Sequence, residues 1–435
     1  MKKLLLTILF GLFTPFALTA CGNEGTTSTS NEENGTAEVA EPIEIDFWHA
    51  MSGVHEEALT ELIELFHAEN DHIRVNAVNQ GGYSDLGQVI MANARANTLP
   101  HLAQSVPTTV TQYIDNNFLL PLNSFIEDSE IGLTDEEFND IISVFRESST
   151  WGDTLYSIPF GKSTRILFYN RTMLEEHGIE VPTSWEELIA AAEVLTVDNT
   201  IGMGFENSFE PEFMALLMQH GGVYVDEEAM TAQFASQEGV DALTIIADLV
   251  ESGNARLAGE DRHLSGVFGR GGVAMYIGSS AGLPHVAAAM QEGIEWGTAV
   301  IPSFNGESAT AFAGNDVVMF DSGTEAEQRA AWEFLRFSLQ PEVTAQWAIA
   351  SGFIPVRYSA KELPLFVEYL EANPIHAAAS NQFEAGFNPT RVNGASAIRN
   401  IVLEELDNIM LGRVSVAEGL QSAQDRANEV LENQN

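Results

Sequence analysis

Between residues 43 and 105 the apolar residues change their period several times, and this alternation restricts the fold of the 435-residue chain more than any single motif. "PIEIDFWHA" (42–50) alternates apolar and polar side chains, the period-two pattern of a strand. After Ser52 and Gly53, "VHEEALTELIELFHAEN" sets Leu59, Leu62, Ile63 and Phe66 at i, i+3, i+4 and i+7. That spacing predicts an amphipathic helix, with acids in the first turn facing the positive end of the helix dipole. "HIRVNAVNQ" reads as a second strand, Gly81-Gly82-Tyr83 as a turn, and "DLGQVIMANARAN" as a second helix ending before Pro100. "HLAQSV" is a third apolar segment. Strand, helix, strand, helix, strand predicts a parallel sheet with covering helices.

The rest of the chain keeps the same style. "SIPFGKSTRILFYNR" contains a strand, and "TMLEEHG" is a short helix closed by Gly178. "TSWEELIAAAEVL" is helical, and Ser184 with Glu187 three residues on matches a capping box. "VAMYIG" (273–278) is a buried strand that leads through "SSAG" into a helix. "AEQRAAWEFLRFSL" and "PEVTAQWAIA" are helices divided by Pro341, and the tail from residue 397 holds two more. The class is α/β.

The first twenty residues do not belong to the fold. Lys2 and Lys3 precede an apolar run that is long enough for a secretion signal and short for a membrane span. It ends in Leu18-Thr19-Ala20-Cys21, which resembles a bacterial lipobox, with Cys21 as the lipid-attachment residue. The following stretch is small, polar and rich in Ser, Thr, Gly and Glu, the composition of a flexible tether. With Cys21 the sole cysteine, no internal disulfide can form, so stability must come from core burial. About 390 residues remain for that core, enough for two domains.

All 63 acids follow residue 20, against 17 of the 19 bases, a net formal charge of −46 for the chain from Cys21 onward. Nucleic acid and anionic membrane surfaces would be repelled by it. An acidic exterior suits salty or alkaline surroundings and says nothing of activity. It does make each base near a site worth weighing.

Three bases, Lys162, Arg165 and Arg171, fall in "PFGKSTRILFYNR" (159–171), which contains the Gly-Lys-Ser-Thr of a phosphate loop. Such a loop needs a glycine five positions earlier and runs into a helix. Here that position is Tyr156, Pro159 removes a backbone donor, and the segment runs into strand-like "RILFYN", so nucleotide hydrolysis is excluded. No H-E-x-x-H zinc motif or calcium loop is present. His49, His55, His67 and His72 lack metal-ligand spacing, with His67 read as a helix-surface residue. Among 63 acids a glycosidase pair cannot be picked out. What remains is a set of loops at strand ends, where open α/β sheets bind ligands. Gly278-Ser279-Ser280-Ala281-Gly282 offers hydroxyls and N–H groups to a phosphate or sugar, or is an ordinary helix cap. Gly314 marks either a close backbone approach or a plain turn.

Taken in order, "DFWHAMSG", "LFHAEN", "GGYSDL", "PFGKSTRILFYN", "TSWEEL", "VAMYIGSSAG", "SGFIPVR" and "IRNIVLEEL" resemble the extracellular solute-binding proteins of ABC importers. Within that family the likeness is to the glycerol-3-phosphate-binding branch, and it runs from residue 43 to the end. The pieces are short; their order and spacing carry the resemblance.

The resemblance implies a two-lobed, periplasmic-binding-protein-like α/β fold with the ligand in a cleft. The expected divisions are a signal at 1–20 and a tether at 21–42. Lobe 1 would span 43–154 with 315–358 returning to it, and lobe 2 would span 155–314 with 359–435 returning. Ligand binding would shift a hinge equilibrium read by permease subunits. Matched position by position, Tyr83, Ser163, Ser280, the backbone of Gly314, and Arg399 are the implied ligand contacts. Three positions depart: an expected acid falls near Pro107, an expected tyrosine is Phe353, and expected tryptophans fall where Phe209 and Phe213 stand. Lys162 and Arg165 are either charge partners of the ligand or surface partners of nearby acids, and Arg399 is either a phosphate clamp or the partner of Glu404 or Glu405.

The chain is thus expected to be a lipid-anchored, extracytoplasmic, monomeric binding protein with no catalytic residue, cofactor or metal. Glycerol-3-phosphate or a glycerophosphodiester is the first ligand. A neutral sugar or oligosaccharide, leaning on Trp48, Phe209 and Phe353, is the second. A surface-anchored hydrolase and a sensor subunit are the remaining alternatives.

Overall fold

The computed structural model of the protein describes residues 41–433; the leader, Cys21 and the tether up to residue 40 lie outside them. Ile43–His49 pairs in parallel with Ile73–Asn79 and with Leu102–Ser105, as the alternating pattern predicts. A second parallel group is built from Ile201–Phe205, flanked by Ala255–Leu257 and Val273–Ser279.

One strand joins the two groups. Ser157–Asn170 is buried along its whole length. Its first half pairs antiparallel with Thr310–Met319, which in turn pairs with Leu102–Ser105. Its second half, from Arg165, pairs antiparallel with Val273–Ser279 and with Trp296–Ala299. The result is a ten-stranded mixed sheet shared by two lobes, and the Gly-Lys-Ser-Thr stretch is the middle of the shared strand.

Two large apolar clusters fill the interior, and the first extends from Phe47 and Phe66 across to Phe168, Phe268 and Tyr276 beside the second strand group. In the first, helix Val54–Glu69 buries Leu59, Leu62, Ile63 and Phe66, the four residues of the sequence pattern. Phe66 meets Phe334 and Phe337 of helix Glu325–Ser338 at ring separations of 5.2 and 5.3 Å. Burying such a ring contributes roughly 1.5–3 kcal/mol. Helix Pro341–Ser351 packs on the same helix. In the second lobe, helix Trp185–Leu195 buries Trp185, Leu188 and Leu195. Ser184 caps it by accepting from the Glu187 N–H at 3.2 Å, while the Glu187 carboxylate reaches back to the Thr183 N–H rather than to that of Ser184. The tail helices Ala395–Met410 and Val416–Glu432 pack on each other and against helices Glu210–Gln219 and Gln237–Glu251. His67, expected on the helix surface, instead accepts a hydrogen bond from the Val75 N–H at 2.9 Å.

Candidate ligand-binding cleft

Beside the shared strand lies a cleft of about 800 Å³. Four helices begin at its wall: Tyr83–Ala94, Pro107–Asp115, Glu210–Gln219 and Ala395–Met410, each contributing first-turn residues. The first three each follow the carboxyl end of a parallel strand, which is why their amino ends converge. The fourth starts after Gly394, whose φ of 86° turns the chain and which has no side chain to cap the helix. Free N–H groups and the positive ends of helix dipoles therefore face the cleft.

Arg399 stands just past the first turn of that last helix, with its side chain 40 % exposed. Its Nε forms an ion pair with Glu210 Oε2 at 3.0 Å, and Tyr224 donates its hydroxyl to Glu210 Oε1 at 2.7 Å. Burial pushes the Glu210 carboxyl above the usual range, and the Arg399 charge and the Tyr224 hydroxyl pull it back in part. The sequence alternative for Arg399 is thereby corrected: Glu404 and Glu405 are taken by Arg426, at 2.7 and 3.0 Å.

Lys162 also reaches the cleft wall, yet its ammonium is spent. It is 3 % exposed, contacts the Asp316 carboxylate, and donates to Ser148 Oγ at 3.3 Å. Asp316 is fully buried and accepts from Ser157 at 2.9 Å and Ser149 at 3.3 Å. Arg165 donates to Glu212 at 2.6 Å in the second lobe, away from the cleft. Both pairs are buried, not the surface pairs expected of a highly acidic chain.

Tyr83 opens its helix, accepts from Asn315 Nδ2 at 2.9 Å, and is 37 % exposed as a residue. Burial of the hydroxyl pushes its pKa up to about 12, so it remains a donor. Gly314 has φ of 102°, and a Cβ there would overlap the Gly161 carbonyl on the shared strand. The close-approach reading of this glycine holds.

Tyr83, Gly314 and Arg399 are therefore brought together on the cleft wall, along with Pro107, Lys162 and the unforeseen Glu210. Five expected contacts are outside that wall. Ser163 is buried in the shared strand opposite Ala313. Ser280 uses its hydroxyl to accept from the Thr164 N–H at 3.3 Å, and Ser279 caps the turn, so the "GSSAG" loop is a structural junction. Phe353 stacks on Trp347 at 5.7 Å and lies tilted against His55 at 5.1 Å. Phe209 is fully buried 6.2 Å from Phe205, and Phe213 is likewise interior. Trp48 is half-buried over the cluster of Leu86 and Ile90. In each aromatic case the gain from covering a large ring draws it into packing. Pro107 opens helix Pro107–Asp115, where Thr108 and Thr109 face the cleft.

Residues 61–377 match the bacterial extracellular solute-binding protein family. The chain belongs to this family. Among its relatives is the sn-glycerol-3-phosphate-binding periplasmic protein UgpB of Salmonella typhimurium, 23 % identical over 89 % of this chain and 92 % of that one. UgpB of Mycobacterium tuberculosis, solved with glycerophosphocholine, has the same fold at a TM-score of 0.80, with 20 % identity over 90 % of this chain and 99 % of that one. The cyclic alpha-maltosyl-1,6-maltose binding protein of Arthrobacter globiformis superposes at 0.77, with 25 % identity over 90 % of this chain and all of that one. This extracellular solute-binding protein is two-lobed, with its candidate cleft beside the strand the lobes share. No helix among the described residues is long and apolar enough to cross a membrane.

Proposed function

We propose that the protein captures a phosphorylated glycerol, either glycerol-3-phosphate or a glycerophosphodiester, and delivers it to the permease subunits of an ABC importer. The observation that carries this reading is the meeting of Arg399 with the uncapped start of its own helix in a cleft where three more helices begin. Unspent N–H groups at a helix start suit a phosphate. The two terminal nitrogens of Arg399 are a planar fork matched to two phosphate oxygens. Repulsion by the acidic exterior is screened beyond about 8 Å at roughly 0.15 M salt. The names of the UgpB relatives agree with this reading.

A sugar or oligosaccharide is the second reading. The cleft's ≈ 800 Å³ is ample for an oligosaccharide, and the ring of Tyr83 could carry a pyranose face. Hydrolysis is disfavoured, because Glu210 is the one acid on the wall among the described residues and glycoside hydrolysis ordinarily uses two.

The remaining parts of the proposal rest on the sequence. Cys21 is lipidated and holds a monomer at the outer face of the membrane. The lobes divide near residues 154, 314 and 358, and ligand binding favours the closed arrangement.

Calorimetric titration of the chain from residue 22 tests the reading. Glycerol-3-phosphate, glycerophosphocholine and a set of oligosaccharides would be compared, with Arg399→Ala alongside. Micromolar binding of a phosphorylated glycerol, lost in the variant, is expected. Binding of sugars alone, indifferent to Arg399, would replace it with the second reading.

A further inference from the structure

Glu210 raises a question about which anion the cleft accepts. It lies on the wall, is 5 % exposed, and stands beside the guanidinium that would hold phosphate. A neutral acceptor could have oriented Arg399 equally well. The groups facing Glu210 are Arg399 from the last helix, the Tyr224 hydroxyl, and Glu212 on its own helix. Glu212 is already matched by Arg165. Lys162, a buried base on the wall, is matched by Asp316, whereas Arg95 lines the cleft exposed where helix Tyr83–Ala94 ends. Arg399 and Lys162 are therefore each balanced by one carboxylate, so around Arg399 the cleft offers donors and helix dipoles, and the surplus positive charge on the wall is that of Arg95.

The two ligand types of the preceding section differ in charge. A phosphodiester carries one negative charge, whereas a phosphomonoester carries about −1.5 to −2 at pH 7, with its second pKa near 6. A second negative charge close to the buried Glu210 carboxylate would meet repulsion that little water can screen.

We propose that Glu210 determines specificity, making the cleft a reader of singly charged phosphate. A glycerophosphodiester enters as it is, and glycerol-3-phosphate enters only together with one proton. The inference rests on the phosphate reading given above. The proton resides on the phosphate or on Glu210, the carboxylate that pairs with Arg399 in the free cleft. The count is one per ligand in either case.

The test is calorimetric titration of the full-length chain in detergent with glycerol-3-phosphate and with glycerophosphoglycerol, a diester without a second charged group. It is run from pH 6 to 8 in buffers of different ionisation heat, which counts protons. Near one proton taken up per glycerol-3-phosphate at pH 8 is expected, and none per diester. Monoester affinity should fall roughly 50-fold from pH 6 to 8, following the singly charged fraction of a phosphate with pKa near 6, while diester affinity stays within about threefold. In Glu210→Gln the monoester loses most of that slope and its disadvantage at pH 8 shrinks. Equal, pH-independent binding of both ligands without proton uptake overturns the inference and leaves the phosphate reading standing. A full slope retained in Glu210→Gln removes Glu210 from the role. If that variant does not fold, the proton count of the unaltered chain still decides. Failure of both phosphates to bind, with a sugar binding instead, defeats the underlying reading.

Discussion

Lys162→Met separates a structural lysine from a ligand-binding one. The ammonium is 3 % exposed and contacts Asp316, which is fully buried. Removing the lysine leaves the carboxylate with the Ser149 and Ser157 hydroxyls and no countercharge. Stranding one member of a buried pair in this way costs about 3–5 kcal/mol. The double variant Lys162→Met/Asp316→Asn removes both charges while keeping an acceptor for the serines. It should therefore recover at least about 2 kcal/mol of the loss, since replacing both members of a buried pair is far milder than removing one. Urea unfolding followed by tryptophan fluorescence reads both quantities. A single variant that loses less than about 1 kcal/mol would refute the reasoning, above all if ligand affinity fell tenfold, because the charge of Lys162 would then be serving the ligand.

Gly314→Ala should disrupt the antiparallel pairing of the two central strands, because a Cβ at φ of 102° overlaps the Gly161 carbonyl; a loss of several kcal/mol in urea is expected, and a loss near zero would contradict the geometry. His55 donates Nε2 to the Ser351 carbonyl and stands edge-on to His285, with ring centroids 5.2 Å apart. Burial holds both imidazoles below their usual pKa; His285 adds to the effect on His55, and His263 to that on His285. Unfolding frees them to bind protons at a higher pH, so their contribution is complete above pH ~6.5 and is lost as pH falls below it. His285→Asn should flatten that acid-side loss of the urea midpoint, and an unchanged slope would exclude the pair. Cys21→Ala should move the protein from the membrane to the soluble fraction on cell fractionation, whereas continued membrane retention would argue against lipid anchoring.

The alternation of periods was enough to place most strands and helices, since each pattern reports the face its own residues bury. Leu59, Leu62, Ile63 and Phe66 point inward because their spacing leaves them no other economical arrangement. The cleft was less legible. Tyr83, Gly314 and Arg399 came through the family resemblance, and all three are on the wall. The aromatic expectations did not reach it, because sequence cannot tell a ring that stacks on a ligand from one that fills a core. In "FENSFEPEF" the phenylalanines went inside, and the acid Glu210 beside Phe209 took the cleft. Its one local signal was an acid followed by proline at the start of a helix behind an apolar strand. The pairing with Arg399 joins residues far apart in the chain, as does that of Lys162 with Asp316, and no local pattern encodes either.

A crystal structure of the protein grown with glycerophosphocholine tests the central claim most directly. The phosphate should lie between the terminal nitrogens of Arg399 and the N–H groups at the start of helix Ala395–Met410, with Tyr83 against the glycerol. A phosphate held elsewhere, or a cleft that stays empty with glycerophosphocholine yet fills with an oligosaccharide stacked on Tyr83, would contradict it.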